Sequence, residues 1–162
     1  TVHVPLDAMK RAVARFHGLH HRTELVLERD GVRWIDDSKG TNVGATVAAL
    51  NGMGAPVILI AGGDGKGADF SELRAPVANC ARAVVLIGRD APLIEAAIAG
   101  SGVEAHRAAS LQEAVELAQR LAQRRLRDVQ PARGRAQAAR LGERDDQLEL
   151  LQPHGLWSAR RG

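Results

Sequence analysis

Residues 56 to 61 read Pro56-Val57-Ile58-Leu59-Ile60-Ala61, an almost continuous apolar run that stops at a cluster of glycines. A second run of this kind lies at residues 83 to 88, and a helix is predicted between the two, around residues 71 to 80. Continuous apolar runs are typical of parallel strands that are covered by helices on both faces. Such strands are joined through right-handed crossovers. The stretch therefore predicts an α/β fold, a Rossmann-like and mostly parallel sheet with flanking helices.

The segments after residue 42 continue this alternation. Helices are predicted at residues 43 to 50 and 91 to 99, and a short strand at residues 103 to 106. Ser110 and Glu113 have the spacing of a reciprocal capping box before an apolar run. A last helix is therefore predicted to extend to about residue 123.

The first 36 residues have a different pattern. Two β-rich runs are separated by Asp30-Gly31, a strong hairpin signal, so a β-hairpin is predicted over residues 23 to 36. Before it, apolar side chains recur at helical spacing, which predicts an amphipathic helix over residues 5 to 16. The fold is thus predicted to begin with a helix and a hairpin.

Composition excludes several classes of function. The 162 residues are 45% hydrophobic, enough for one compact domain. Two Phe, two Trp and no Tyr cannot form a platform for stacking bases, so no nucleic-acid partner is expected. No run approaches the roughly 18 apolar residues of a membrane span, so no membrane association is expected. The single cysteine fits a cytoplasmic location.

The first candidate site is the stretch Asp36-Asp37-Ser38-Lys39-Gly40-Thr41-Asn42, which connects a strand to a helix. Unpaired N–H groups at a helix start favour an anion, and Lys39 would add a positive charge. Alternatively, Thr41 or Asn42 caps the helix and the acids are only solvated. Spacing alone leaves both interpretations open.

The second candidate is Gly62-Gly63-Asp64-Gly65-Lys66-Gly67-Ala68-Asp69-Phe70, directly after the apolar strand. It matches neither the Walker A pattern nor G-x-G-x-x-G, so it is not a nucleotide fingerprint. A glycine-rich turn with one exposed lysine is also common. However, lysine occurs only at residues 10, 39 and 66, and two of these follow strand ends. Lys39 and Lys66 are therefore candidates to converge on the carboxylate of an acidic substrate.

His20-His21-Arg22 is a third candidate, in which Arg22 could contact a phosphate or a base. Adjacent histidines are more often surface residues than metal ligands, and no Cys or Glu has a suitable spacing to join them. No metal site is predicted. No pattern supports a nucleophile either, and no catalytic residue is predicted in this chain.

Three stretches together resemble the Mur ligase family: residues 16 to 22, the stretch from Trp34 to Thr46, and residues 62 to 70. The resemblance covers residues 1 to 123 and is greatest to the members that add D-glutamate to UDP-N-acetylmuramoyl-L-alanine, using ATP and Mg²⁺, in peptidoglycan synthesis. It implies that residues 1–17 are the tail of a central ATP-binding domain. Residues 18–123 would be the amino-acid-binding Rossmann-like domain, inactive without the UDP-binding and P-loop domains.

The resemblance also implies individual roles. Lys39, Thr41 and Lys66 would hold the carboxylates of D-glutamate. Arg22 and Asp37 would reach the base and ribose of ATP. The supporting loop residues would be Ser38, Asn42 and Asp64. Two alternatives remain: another Mur ligase or a folylpolyglutamate synthase, and a non-catalytic α/β binding module.

Residues 124–162 depart from the family pattern. They contain nine arginines, no lysine, no isoleucine and one valine, so no buried strand is predicted there. An atypical, disordered extension is expected, with a short amphipathic helix over residues 141 to 151 as the alternative. The composition also suggests translation of a shifted reading frame.

Overall fold

The computed structural model describes residues 4–16, 18–133 and 148–152, and it gives side-chain surroundings up to residue 124. Its helices and strands follow the predicted alternation. The elements in chain order are α1 (Leu6–Arg15), β1 (Glu24–Arg29), β2 (Val32–Asp36), α2 (Val43–Gly52), β3 (Val57–Gly62), a 3₁₀ turn (Ser71–Leu73), α3 (Arg74–Cys80), β4 (Ala81–Ile87), α4 (Ala91–Ile98), β5 (Glu104–Arg107), α5 (Leu111–Arg133) and β6 (Leu148–Gln152).

Within the described residues, the strands form one six-stranded sheet in the order β1-β2-β6-β3-β4-β5. Strand β1 pairs with β2 in the antiparallel direction, and every other neighbouring pair is parallel. Asp30 and Gly31, between β1 and β2, have φ values of 54° and 74°. Two positive φ angles are the requirement of a type I′ hairpin turn. The predicted fold class and its hairpin are confirmed.

The core lies on both faces of the central strand β3, because side chains alternate between the faces of a strand. Leu59 packs on one face against α2, α3 and α4, in a cluster that includes Leu50, Val77 and Ile94. Ile58 and Ile60 lie in a second cluster, with α5. Helix α5 contributes Ala114, Ala118 and Ala122, which are fully buried at a spacing of four residues. These small side chains let α5 approach the sheet closely.

Two features after residue 123 differ from the prediction. Helix α5 continues to Arg133, and β6 lies between β2 and β3, paired in parallel with both. The expectation of no strand in this region was therefore wrong, because the search relied on β-branched side chains. A central strand is held by backbone hydrogen bonds to two neighbours, which a leucine-rich segment can also make. The alternative helix over residues 141 to 151 is contradicted at residues 148–151, which belong to β6, and residues 141 to 147 lie outside the described part.

Helix α1 is amphipathic as predicted, but none of its residues is buried. Its apolar side chains Leu6, Met9 and Val13 are exposed. None of the helices among the described residues combines the length and the apolar character that a membrane span requires.

Candidate functional site

The aspartate loop, residues 37–42, connects β2 to α2 and is held by a buried carboxylate. Asp37 is only 6% exposed. Its Oδ1 accepts hydrogen bonds from the Thr23 N–H at 2.9 Å and the Thr23 hydroxyl at 3.4 Å. The Gly40 N–H donates to the Asp37 carbonyl, and a Cβ on Gly40 would lie 2.5 Å from Asp37 Oδ2. Asp37 therefore ties the loop to the start of the hairpin, and a side chain at residue 40 would displace the Asp37 carboxylate.

The end of the aspartate loop begins α2. Asn42 is the N-cap, and its side-chain oxygen accepts a hydrogen bond from the Ala45 N–H at 2.8 Å. The predicted cap is thus confirmed for Asn42. Thr41, directly before it, is exposed. The partial positive charge of the helix N-terminus lies here, where an anion is stabilised.

The glycine loop, residues 63–70, follows β3 and has a tightly determined backbone. Gly62, the last residue of β3, has φ +146°, and a Cβ there would lie 1.8 Å from the Ile87 carbonyl oxygen. The Gly63 N–H donates to that same oxygen at 3.1 Å. Farther along, the Asp64 carboxylate accepts from the Lys66 N–H at 2.9 Å. The start of this loop is therefore held against the end of β4.

The two loops line one cavity, the loop cavity, of about 130 Å³. A cavity of about 10–15 Å³ holds one water molecule, so this larger space suits a small molecule. Thr41 and Asn42 from the aspartate loop and Asp64 and Gly65 from the glycine loop line it, with Phe70 among the apolar residues. The cavity lies at the carboxyl ends of parallel strands, where ligands bind in open α/β sheets.

The side chains of the two predicted lysines lie on the surface of the loops. Lys39 and Lys66 are both exposed, and neither lines the loop cavity. The Lys39 N–H donates to the His21 carbonyl, which fixes its backbone but not its ammonium group. Convergence of the two lysines on one carboxylate stays a prediction.

Arg22 and Asp37 line a second cavity, the hairpin cavity, of about 640 Å³ between the hairpin and α2. Gly40 lines both cavities, so both border the aspartate loop. Arg22 is exposed, whereas Asp37 offers only a small exposed fraction. The two residues named for the nucleotide thus share one cavity, and Thr41, Asn42 and Asp64 share the other. Ser38 is half-buried and donates its N–H to Asp36.

The histidine pair has carboxylate partners that were not predicted from the sequence. His20 Nδ1 lies 3.0 Å from Glu24 Oε1, and His21 Nδ1 lies 2.6 Å from Asp36 Oδ2. Glu24 and Asp36 are paired across the hairpin, which places residues far apart in sequence side by side. His21, Glu24 and Asp36 offer three possible metal-ligand atoms within 4.8 Å of one another. His21 connects the group, because its N–H donates to the Glu24 carboxylate and its ring is hydrogen-bonded to Asp36.

These contacts lower the pKa of both carboxyl groups. The His21 N–H is the main cause for Glu24, with the His20 side chain next. Burial by itself raises the pKa of Asp36, but hydrogen bonds from His21 and Ser38 outweigh it and lower the pKa overall. Folding therefore favours the ionised form of each group.

Asp90 is a site residue that the sequence search missed. It follows β4, begins α4, and lines the loop cavity. The same rule that pointed to the ends of β2 and β3 applies to Gly88-Arg89-Asp90 after β4. The search missed it because this turn has no lysine and only one glycine.

The sequence of this chain is similar to those of a known protein family. Residues 21–129 match the family described as Mur ligase, glutamate ligase domain. UDP-N-acetylmuramoylalanine–D-glutamate ligase of Aromatoleum aromaticum is 66% identical over 113 residues, which is 69% of this chain and 24% of that protein. The enzyme of the same name from Thiobacillus denitrificans is 60% identical over 121 residues, 74% of this chain and 26% of that protein. The chain thus spans about a quarter of the length of these relatives.

A solved structure also has this fold. UDP-N-acetylmuramate-alanine ligase from Thermotoga maritima superposes with a TM-score of 0.54 at 13% identity, covering 92% of this chain and 31% of that chain. At this identity the likeness concerns the fold alone. The family match extends from His21, at the entry to the hairpin, through both loops to α5. The chain therefore belongs to the Mur ligase family and corresponds to its carboxy-terminal, glutamate ligase domain.

Proposed function

We propose that the chain is the amino-acid-binding domain of an ATP-dependent ligase that adds D-glutamate to UDP-N-acetylmuramoyl-L-alanine in peptidoglycan synthesis. The observation that carries the proposal is the loop cavity, which joins two strand-end loops at the N-terminus of α2. The relatives at 60–66% identity have this activity in their names. The cytoplasm, where ATP is available, is the proposed location.

In this proposal the loop cavity receives the amino acid. The Thr41 hydroxyl and the N-terminus of α2 would contact one carboxylate of D-glutamate. Lys39 and Lys66, which extend from the loops on either side, would move over the opening and pair with the two carboxylates. An exposed lysine can adopt many rotamers, so this rearrangement costs only side-chain entropy. A charge-assisted hydrogen bond is worth about 1.5–3 kcal/mol, which is roughly 10- to 150-fold in affinity.

The hairpin cavity would hold the nucleoside part of ATP. Arg22 can contact a base or a phosphate, and Asp37 can accept a hydrogen bond from a ribose hydroxyl through Oδ2, since Thr23 uses Oδ1. These residues fit the nucleoside, but neither loop has a Walker A pattern for the phosphates. ATP supplies the energy for the amide bond, and Mg²⁺ would accompany its phosphates. We therefore assign the phosphate and metal contacts to a longer protein and expect no ligase activity from the 162 residues alone.

Calorimetry on the 162-residue chain tests the amino-acid site. D-Glutamate is titrated into the unmodified chain, Lys66→Ala and Lys10→Ala, the last changing an exposed lysine of α1 as a matched control. We expect Lys66→Ala to weaken binding at least about tenfold and Lys10→Ala to leave it unchanged. Meso-diaminopimelate and L-lysine should bind more weakly than D-glutamate. No binding to the unmodified chain, or equal binding by Lys66→Ala, would contradict the proposal.

A further inference from the structure

Asp90 is a buried carboxylate that the proposed function does not use. It is 6% exposed, and among the described residues only Asp37 and Thr46 are other polar residues that are buried. A buried carboxylate costs free energy unless hydrogen bonds or opposite charges compensate it. Its partners therefore indicate what it does.

Those partners lie on the glycine loop. Asp90 Oδ2 accepts a hydrogen bond from the Gly65 N–H at 2.5 Å, and the Asp90 N–H donates to the Gly63 carbonyl at 3.0 Å. Arg89 Nε lies 3.4 Å from Asp90 Oδ1, and the same guanidinium forms an ion pair with Asp64. Asp90, in the turn that follows β4, thus holds the glycine loop through both its side chain and its backbone.

The carboxylate makes these contacts instead of capping its own helix. Asp90 is the N-cap of α4, yet its side chain makes no cap hydrogen bond. Aspartate is among the preferred N-cap residues because its oxygen can accept from the first free N–H groups of a helix. Here that oxygen is directed to Gly65. The side chain is therefore committed to the loop and not to the stability of α4.

The space around Gly65 reinforces this arrangement. A Cβ on Gly65 would lie 2.5 Å from the Phe70 ring and 3.3 Å from Asp90 Oδ2. Asp90 and Gly65 both line the loop cavity. A free carboxylate in that position would repel an anionic ligand. The Gly65 N–H and Arg89 engage both of its oxygens, which reduces the repulsion.

We propose that Asp90 is a positioning residue that holds the glycine loop in the shape that binds the ligand, and thereby fixes the backbone from which Lys66 extends. The part concerning D-glutamate rests on the proposed function. The part concerning the loop does not, because it depends only on the contact between Asp90 and Gly65.

The test compares Asp90→Ser and Asp90→Asn in the 162-residue chain. Serine is also a preferred N-cap, so α4 keeps its start, but its oxygen is one bond too short to reach Gly65. Asparagine keeps an acceptor oxygen at the right distance. Glu72→Ala, an exposed acid in the adjacent 3₁₀ turn, is the control. Two quantities are measured: hydrogen exchange of the Gly65 amide by NMR, and the Kd of D-glutamate by calorimetry.

We expect Asp90→Ser to speed Gly65 exchange and weaken D-glutamate binding, each at least about tenfold, while Glu72→Ala stays within about threefold of the unmodified chain. Asp90→Asn keeps the acceptor for Gly65 but turns its NH2 group toward Arg89, so its losses should be clearly smaller than those of Asp90→Ser. Unchanged Gly65 exchange in Asp90→Ser would overturn the proposal, as would an equal loss in Asp90→Asn. Faster exchange with unchanged D-glutamate binding would overturn the link to the ligand. If the unmodified chain binds no D-glutamate, the proposed function fails, and Gly65 exchange still decides the role of Asp90.

Discussion

Replacing Gly62 with alanine tests how closely β3 and β4 approach beside the loop cavity. Residue 62 has φ +146°, a backbone conformation that costs a non-glycine residue about 1–3 kcal/mol. The new Cβ would lie 1.8 Å from the Ile87 carbonyl oxygen, 2.8 Å from its carbon and 2.9 Å from its nitrogen. All three are backbone atoms of β4, so a side-chain rotation cannot relieve the clash. Relief of such overpacking costs about 1–3 kcal/mol more. We expect Gly62→Ala to lower the free energy of unfolding by about 2–6 kcal/mol.

Urea unfolding followed by circular dichroism measures this loss. Gly52→Ala is the matched control, because residue 52 is the last of α2 and a Cβ there meets nothing within 4 Å. Alanine is the better helix former by up to about 1 kcal/mol, so Gly52→Ala should be neutral or stabilising. The same chemical change is thus expected to have opposite effects at the two positions. Equal urea midpoints for Gly62→Ala and the unmodified chain would refute the close approach of β3 and β4.

Two further predictions concern the aspartate loop and the hairpin. Asn42→Ala removes the α2 cap and should lower the free energy of unfolding in urea by about 1 kcal/mol. Asn51→Ala, which changes an exposed residue of the same helix, should change it by no more than about 0.5 kcal/mol. Equal losses in the two variants would argue against the cap. Because folding lowers the pKa of Glu24, its contribution to stability is fully present above its ordinary value of 4.5 and is lost as the pH falls through the lowered value. The free energy of unfolding in urea should therefore fall less between pH 6 and pH 2.5 in Glu24→Gln than in the unmodified chain. Glu28→Gln changes an exposed residue of the same strand and should not reduce this fall.

Most of the fold could be predicted because its signals are local. The hairpin required two positive φ angles, and Asp30-Gly31 is the sequence that adopts them readily. The buried strand β3 was evident from its continuous apolar run. Strand β6 could not be predicted, because its place is set by pairing with β2 and β3 and not by its own composition.

The candidate site was predictable to the level of loops but not of contacts. The rule that ligands bind at the carboxyl ends of parallel strands selected both loops, and they do line one cavity. The sequence did not reveal that Asp37 is buried against Thr23, or that Asp90 holds Gly65. Both contacts join residues that are at least 14 positions apart. Only the assembled sheet brings them together.

The most direct test of the account is to map D-glutamate on the chain by NMR. Amide signals are recorded while D-glutamate, and separately L-glutamate, is added to the ¹⁵N-labelled 162-residue chain. We predict that D-glutamate shifts the signals of Val43 and Gly65, on either side of the loop cavity, while Glu28 on the hairpin stays unchanged. L-Glutamate at the same concentration should cause smaller shifts. Shifts confined to the hairpin, or none at Val43 and Gly65, would contradict the assignment of the loop cavity as the amino-acid site.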